Sequence, residues 1–324
     1  MKINTANQNT GTSKNRLFFP VIFLILPLLF SCASGGGAKA EEYFSLGMAY
    51  YEMAMNNNNN AANRDRYFQE AERWLTRARR ADKTMTASDY NLGRLAYENG
   101  RYGDAAKHFE RILAKDSDNV MALKAAAYSR IRNGDLTRAE AHYSRVLVLV
   151  PESADDGYNY ALVLYGLKKY EESEEVLSKY HYALEENAQS MLLYARAQKA
   201  QDKVEAVDSY AKWARTVTAA SAQGLYEYAQ VLEYAGLYAR AVEQYRAAAA
   251  AITSDTGNLK KSAVIFEEAR LLLSADPDNS EGIQRLNAAI TEGFSDQMDL
   301  RALLTDDRIR NSNKDEIRRI LGTL

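Results

Sequence analysis

The sequence predicts an all-α solenoid, in which short pairs of helices stack side by side along the chain. The main observation is a period of 34 residues: Ala71, Ala105, Ala139 and Ser173 follow one another at this step. Apolar residues recur at helical spacing throughout, and a short break carrying Gly divides the clearest units in two. A fixed period in this range is typical of stacked supersecondary units that bury their apolar faces against their neighbours.

Two segments, 86–119 and 120–153, show the pattern of one unit most clearly. Antiparallel helices approach closely only where side chains are small, so we expect the small residue of each helix to mark a crossing point. These pairs are Gly93 with Ala105, Ala127 with Ala139, and Ala161 with Ser173. Large residues are expected to fill the seam to the next unit: Phe109, Tyr143 and Leu177.

This pattern resembles the tetratricopeptide-repeat (TPR) family, whose repeat is a helix–turn–helix of about 34 residues. The resemblance implies a right-handed superhelix of about six TPR-like helix–turn–helix repeats with a C-terminal helical cap. We assign residues 41–257 to this solenoid and residues 258–324 to a degenerate repeat and the cap, because a solenoid must close its last apolar face.

Three places depart from the regular pattern. Five asparagines at 56–60 predict a loop inserted between the helices of the first repeat, with its second helix starting near Asp65. The fifth repeat, near 187–220, has Tyr194 where a small residue is expected, which predicts a local distortion of the stack. The break at 276–279 fits either the end of a repeat or the turn within one.

Residues 1–31 are predicted to form a lipoprotein signal peptide. The segment before Leu17 contains three basic residues, Lys2, Lys14 and Arg16, and no acidic residue. The apolar run that follows, Leu17–Phe30, is too short to span a bilayer comfortably. The run ends in Leu-Phe-Ser-Cys, which resembles a bacterial lipobox. Cys32 is the only cysteine, and we expect it to carry the lipid rather than to remain a free thiol. Residues 32–40 would then form a flexible tether.

The charge balance argues against nucleic acid as a partner. The chain has 41 Lys and Arg residues against 43 Asp and Glu residues, and removal of the signal peptide leaves it more acidic. Nucleic-acid binding relies on a cationic surface.

Residues that could carry chemistry are few. The three histidines, His108, His142 and His181, have no paired metal-ligand spacing, and the acidic cluster at 171–175 opens a helix, where carboxylates are stabilised. We find no phosphate-binding glycine loop, nucleophile elbow or metal motif. We therefore expect no catalytic residue, no metal site and no cofactor.

The first helices of the repeats are the candidate partner-binding surface, because in the resembling family they line a concave groove. Carried over by register, the groove positions are Tyr90, Arg94 and Tyr97; Lys124, Tyr128 and Arg132; Tyr158, Leu162 and Tyr165; and Tyr226, Gln230 and Tyr234. Tyrosine combines apolar area with a hydrogen-bonding tip, which suits peptide capture. Packing between neighbouring repeats is the alternative role for each tyrosine. The chaperone-tail clamp of this family is not expected, since it needs Lys and Asn where Tyr90 and Arg94 stand.

Helix two of the first repeat carries four arginines near one face, Arg66, Arg73, Arg77 and Arg80. A solvated face is the expected role, because Glu70 and Arg73 are spaced to pair along the helix. Contact with anionic lipid head groups is the alternative.

The function expected from these features is that of a membrane-anchored protein that binds a helix or an extended segment of another protein. The bacterial cell envelope is the expected location, with the outer membrane favoured, and an oligomer is compatible with the sequence. One version resembles the TPR partner of a periplasmic solute-binding protein in a tripartite uptake system. The alternatives are a subunit of the outer-membrane β-barrel assembly machinery, and a cell-wall-acting enzyme.

Overall fold

The computed structural model describes residues 37–56, 60–180, 187–217, 219–253, 258–276 and 280–323. These residues form sixteen α-helices and no strand, which confirms the all-α fold class. The first four pairs are α1 (Gly37–Asn56) with α2 (Ala61–Ala81), α3 (Thr86–Glu98) with α4 (Tyr102–Leu113), α5 (Val120–Arg132) with α6 (Leu136–Leu149), and α7 (Ala154–Gly166) with α8 (Tyr170–Lys179). The remaining pairs are α9 (Ala188–Lys199) with α10 (Ala206–Thr216), α11 (Ala222–Tyr234) with α12 (Tyr238–Ala251), α13 (Lys261–Ala275) with α14 (Glu281–Thr291), and α15 (Gln297–Thr305) with α16 (Asn311–Thr323).

The turn inside each of five successive pairs has the same backbone geometry. One residue of each turn is left-handed, at steps of 34: Gly100 (φ 72°), Gly134 (φ 79°), Lys168 (φ 63°), Asp202 (φ 55°) and Gly236 (φ 73°). The amide after it donates to a carbonyl five residues earlier, as from Lys169 to Leu164 at 2.9 Å. This hydrogen bond closes the first helix of the pair with a left-handed cap. The turn therefore persists where glycine is replaced by lysine or aspartate.

The first repeat differs from the sequence-based expectation. Helix α1 begins at Gly37, inside the segment assigned to the tether, and α2 begins at Ala61 rather than near Asp65. Asn60 caps α2, because its side chain accepts a hydrogen bond from the amide of Asn63 at 3.1 Å. The extra residues of this repeat are thus absorbed mainly by two long helices of 20 and 21 residues.

The small residues of the pairs have two different roles. In the fourth repeat they do form a crossing point, since the Ser173 hydroxyl donates to the Ala161 carbonyl at 2.8 Å. In the second repeat, Gly93 makes room for an aromatic ring: a Cβ added there would lie 2.7 Å from Phe109. The ring of Phe109 also belongs to the cluster shared with Ala122 and Ala126 of the next repeat, so the seam is filled as expected.

The fifth repeat keeps its helix pair and gains a large inner side chain. Trp213 is buried, and a Cβ added at Gly224 on α11 would lie 2.3 Å from its ring. Tyr210 stacks on Tyr228 of the same neighbouring repeat, with ring centroids 5.9 Å apart. Aromatic packing therefore joins the fifth repeat to the sixth.

The C-terminal part contains a seventh packed pair. Leu273 of α13 lies against Gly282 of α14, where an added Cβ would be 2.8 Å from the Leu273 side chain. The fully buried carboxylate of Glu268 binds Arg246 of α12 at 2.7 Å and Arg285 of α14 at 2.5 Å. Helix α13 is therefore packed against α14 and joined to α12 of the sixth repeat.

The last two helices complete the core. Leu300 of α15 and Ile317 of α16 are fully buried in one apolar cluster that extends back to Ala195 of α9. This burial is what a terminal cap requires. Among the described residues, no helix combines the length and the apolar character needed to cross a membrane.

Candidate partner-binding surface

The first helices of successive repeats lie side by side and contact one another through their side chains. Polar side chains connect α3 to α5, α5 to α7 and α9 to α11, and an apolar cluster joins α7 to α9. We call the surface formed by α3, α5, α7, α9 and α11 the first-helix face. It contains all twelve positions assigned to the groove from the sequence.

A cluster of three tyrosines and one arginine connects α3 and α5. The ring of Tyr97 lies 5.4 Å from that of Tyr128 and 5.1 Å from that of Tyr102, measured between centroids. Arg132 donates hydrogen bonds to the Tyr97 hydroxyl at 3.2 Å and to the Tyr102 hydroxyl at 2.6 Å. Its guanidinium also lies 4.7 Å from the centre of the Tyr102 ring, a distance that permits a cation–π contact.

This cluster holds a positive charge among neutral groups. Burial, together with the hydrogen bond to Tyr128, raises the pKa of Tyr97, so its hydroxyl is neutral near pH 7. Among the described residues, no carboxylate lies at ion-pair distance from Arg132, which is exposed. An arginine in this state retains donors for a carboxylate or a carbonyl of another molecule.

Three further groove positions of α3 and α5 already have contacts within the protein. The Tyr90 ring packs edge-on against Phe109 at 5.5 Å, so packing within the repeat occupies it. Arg94 is exposed and lies over the Tyr51 ring at 5.1 Å. Lys124 forms an ion pair of 2.5 Å with the buried Asp156 of α7.

The groove positions of α7 are half-buried. Tyr158, Leu162 and Tyr165 pack against the apolar cluster that contains Leu177 and Leu193. Burial raises the pKa of both Tyr158 and Tyr165. This part of the first-helix face is therefore largely apolar and includes two half-buried, neutral tyrosines.

The groove positions of α11 border an open cleft. Tyr226 packs on the ring of Tyr245 at 5.6 Å, whereas Tyr234 is 74% exposed. Gln230 accepts a hydrogen bond from Lys199 at 2.6 Å. The cleft has a volume of about 420 Å³ and is lined by Lys199, Asp202, Lys203, Gln230, Val231, Glu233, Tyr234, Tyr245, Glu267 and Arg270.

Two residues of this surface were missed in the sequence analysis. Arg196 and Lys199 of α9 stand 34 residues after Leu162 and Tyr165, so extending the repeat into the fifth unit would have found them. Arg196 binds Glu227 at 2.7 Å; burial opposes its charge, but this bond outweighs the effect and raises its pKa. Burial lowers the pKa of Lys199.

The remaining candidate residues, the cysteine and the histidines, lie away from the first-helix face or outside the described residues. Cys32 and His181 lie outside the described residues. His108 lies 3.4 Å from Asp89, and His142 lies 3.6 Å from Glu110. Within the described ranges, no three His, Cys, Asp or Glu residues are grouped as a metal site would require.

Comparisons with known proteins identify the repeat. The tetratricopeptide-repeat family model matches residues 59–120, 90–154 and 124–188. A curated relative, an uncharacterized lipoprotein of Treponema pallidum (strain Nichols), is 26% identical over 176 residues, which cover 54% of this chain and 84% of that protein.

Solved structures support the same fold. A tetratricopeptide-repeat protein from Parabacteroides merdae ATCC 43184 aligns with a TM-score of 0.54 and 17% identity, over 83% of this chain and 98% of the other. Pseudomonas aeruginosa pilF aligns with a TM-score of 0.50 and 17% identity, over 74% of this chain and 97% of the other. Proteins with these repeats generally bind other proteins, which supports an interaction scaffold here. Residues 59–188 therefore carry tetratricopeptide repeats, and the chain is similar to a bacterial lipoprotein.

Proposed function

We propose that this protein is a lipid-anchored scaffold of the bacterial cell envelope, which captures a helix or an extended segment of another protein on its first-helix face. In this proposal the signal peptide is removed and Cys32 carries the lipid. The similarity to a treponemal lipoprotein supports the anchor, and the matched repeats support the scaffold.

The cluster around Arg132 carries the proposal for the first-helix face. Arg132 is exposed and positioned by two tyrosine hydroxyls, so its remaining donors are directed before a partner arrives. Tyrosine and arginine are the residue types that most often dominate binding energy at protein interfaces. A segment lying along α3, α5 and α7 would meet this cluster first and then the half-buried tyrosines of α7.

The test is a cross-linked pull-down of the lipidated protein from native membranes, with Arg132→Ala compared with Arg138→Ala. Arg138 is a matched control, because it lies on α6 just beyond the same turn and its side chain is 63% exposed. We expect Arg132→Ala to weaken capture of the main partner on the order of 30-fold, as for an interface hot spot. Arg138→Ala should leave capture unchanged, and circular dichroism should show equal helix content in both variants.

The identity of the captured protein then decides between the partner classes. A periplasmic solute-binding protein would indicate a tripartite uptake system, and a β-barrel assembly subunit would indicate the assembly machinery. Equal recovery with both variants would refute binding at the first-helix face. Mass spectrometry of the mature N terminus tests the anchor separately, since a chain without lipid on Cys32 would remove that part of the proposal.

A further inference from the structure

Helix α2 carries a basic face on the side away from its buried residues. The helix buries Phe68, Ala71, Leu75 and Ala78 against the first repeat. An open, shallow cleft of about 510 Å³ runs along its other side, lined by Gln69, Glu72, Arg73, Thr76, Arg77 and Arg80. The spacing of the three arginines places them on one side of the helix. We call Arg73, Arg77 and Arg80 the α2 arginines.

The carboxylates near this face leave most of its positive charge unbalanced. Glu72 receives two hydrogen bonds from Arg101, at 3.1 and 2.8 Å, so its charge is matched from outside α2. Glu70 lies 3.6 Å from Arg73, but their side chains are 35% and 57% exposed. An exposed pair of this kind binds weakly and does not compete strongly with another anion.

The other two α2 arginines have no acidic neighbour at ion-pair distance among the described residues. The guanidinium of Arg77 lies over the ring of Trp74, 4.6 Å from its centre, and Arg80 is exposed. Two guanidinium groups therefore lie on one surface with donors available. The planar fork of donors on each guanidinium matches the geometry of a phosphate group.

The basic face lies at the end of the first repeat that is next to the N-terminal segment. Helices α1 and α2 are antiparallel, as their ring contacts show: Tyr43 with Trp74 at 5.6 Å, and Tyr50 with Tyr67 at 6.4 Å. Because the helices are antiparallel, six residues before Tyr43 on α1 lie level with six residues after Trp74 on α2. This places Gly37 level with Arg80. Cys32 precedes Gly37 by five residues, a reach of at most roughly 18 Å.

We propose that the α2 arginines bind the phosphate groups of anionic lipids and lay the first repeat on the membrane surface. This inference rests on the proposed lipid anchor for the nearness of the membrane. Glu72, on the same side of α2, binds Arg101, which stands directly before α4. The lipid would therefore lie on the side of the solenoid formed by the second helices of the repeats. The first-helix face is then left open to a partner.

The test measures the reactivity of individual arginines in the full lipidated protein on vesicles. Phenylglyoxal modifies exposed guanidinium groups, and mass spectrometry reads the rate at each site. Vesicles containing phosphatidylglycerol are compared with vesicles of phosphatidylcholine, so that tethering is equal and only the surface charge differs. Inorganic phosphate without vesicles is a third arm, which separates a lipid surface from a free anion. Arg138 and Arg145 serve as internal controls.

We expect modification of the α2 arginines to slow about fivefold on the anionic vesicles, the factor that corresponds to the attraction of one arginine to an anionic surface. The effect should disappear at about 1 M salt, where the screening length is about 3 Å. In the double variant Arg73→Glu/Arg80→Glu, Arg77 should be modified equally fast on both kinds of vesicle. In the control variant Arg138→Glu/Arg145→Glu, modification of Arg77 should still be slower on the anionic vesicles.

Three results would overturn the inference. The first is equal reactivity of the α2 arginines on both kinds of vesicle. The second is equal slowing at Arg138 and Arg145, which would mean a non-specific approach of the whole protein. The third is full protection by inorganic phosphate alone. The mass of the mature N terminus is read in the same experiment, so loss of the anchor and loss of the arginine contact are distinguished.

Discussion

Replacing Lys168 with glycine should stabilise the fourth repeat. Lys168 is exposed and left-handed, with φ of 63°, at a turn position where three other repeats have glycine. A side chain with a Cβ costs about 1–2 kcal/mol in this conformation. Glycine loses about 0.5–1 kcal/mol through the greater freedom of the unfolded chain. The expected gain is the difference, about 0.5–1 kcal/mol.

Hydrogen exchange is the suitable assay, because repeat proteins open locally and one free energy for the whole chain is poorly defined. The amides of α7 and α8 should exchange about two- to fivefold more slowly in Lys168→Gly. Asp202→Gly should give a smaller gain, because aspartate tolerates the left-handed region better than lysine. Gly134→Lys should lose a similar amount. If Lys168→Gly left exchange unchanged or made it faster, turn strain would not limit the stability of this repeat.

Two further predictions concern the second repeat. Gly93→Ala should destabilise it by about 1–2 kcal/mol, because the new Cβ would lie 2.7 Å from the Phe109 ring. In a double-mutant cycle read from hydrogen exchange of the α3 and α4 amides, adding Phe109→Leu should cost less than the two single changes summed. Additive costs would contradict the proposed contact. Burial raises the pKa of Asp89, but its hydrogen bond with His108 and the charge of Arg79 outweigh this and leave the pKa lowered. The ionised Asp89 therefore stabilises the folded state at neutral pH, and this contribution should be lost as the pH falls below about 4. Asp89→Asn should be less stable at pH 7 and lack this part of the acid dependence; an unchanged acid profile would exclude Asp89 as its source.

The 34-residue period was enough to predict the fold class, because stacking the repeats buries their apolar faces whatever the details of each turn. It also located the positions of the first-helix face, including Arg196 and Lys199 once it is extended into the fifth unit. Residue type alone would have missed the turn at Lys168, since lysine has no preference for the left-handed region. The period is the better guide there.

Other features depended on contacts that the period does not encode. The lengths of α1 and α2 follow from the Asn60 cap and from a helix start at Gly37, neither of which the repeat period specifies. The contact of Gly93 with the Phe109 ring is not specified by the period, which gives only the positions of the small and the large residues. The partners of the groove cations, such as Glu227 with Arg196, come from separate repeats and were not visible in one repeat's pattern.

The polar contacts along the first-helix face have a mechanical consequence. Arg132 with Tyr97, Lys124 with Asp156, and Lys199 with Gln230 each connect one repeat to the next. A ligand that takes over one of these donors also removes a connection between two repeats. Binding of the ligand would then lower the bending stiffness of the array at that point. Because such coupling is reciprocal, bending the array would in turn change its affinity for the ligand.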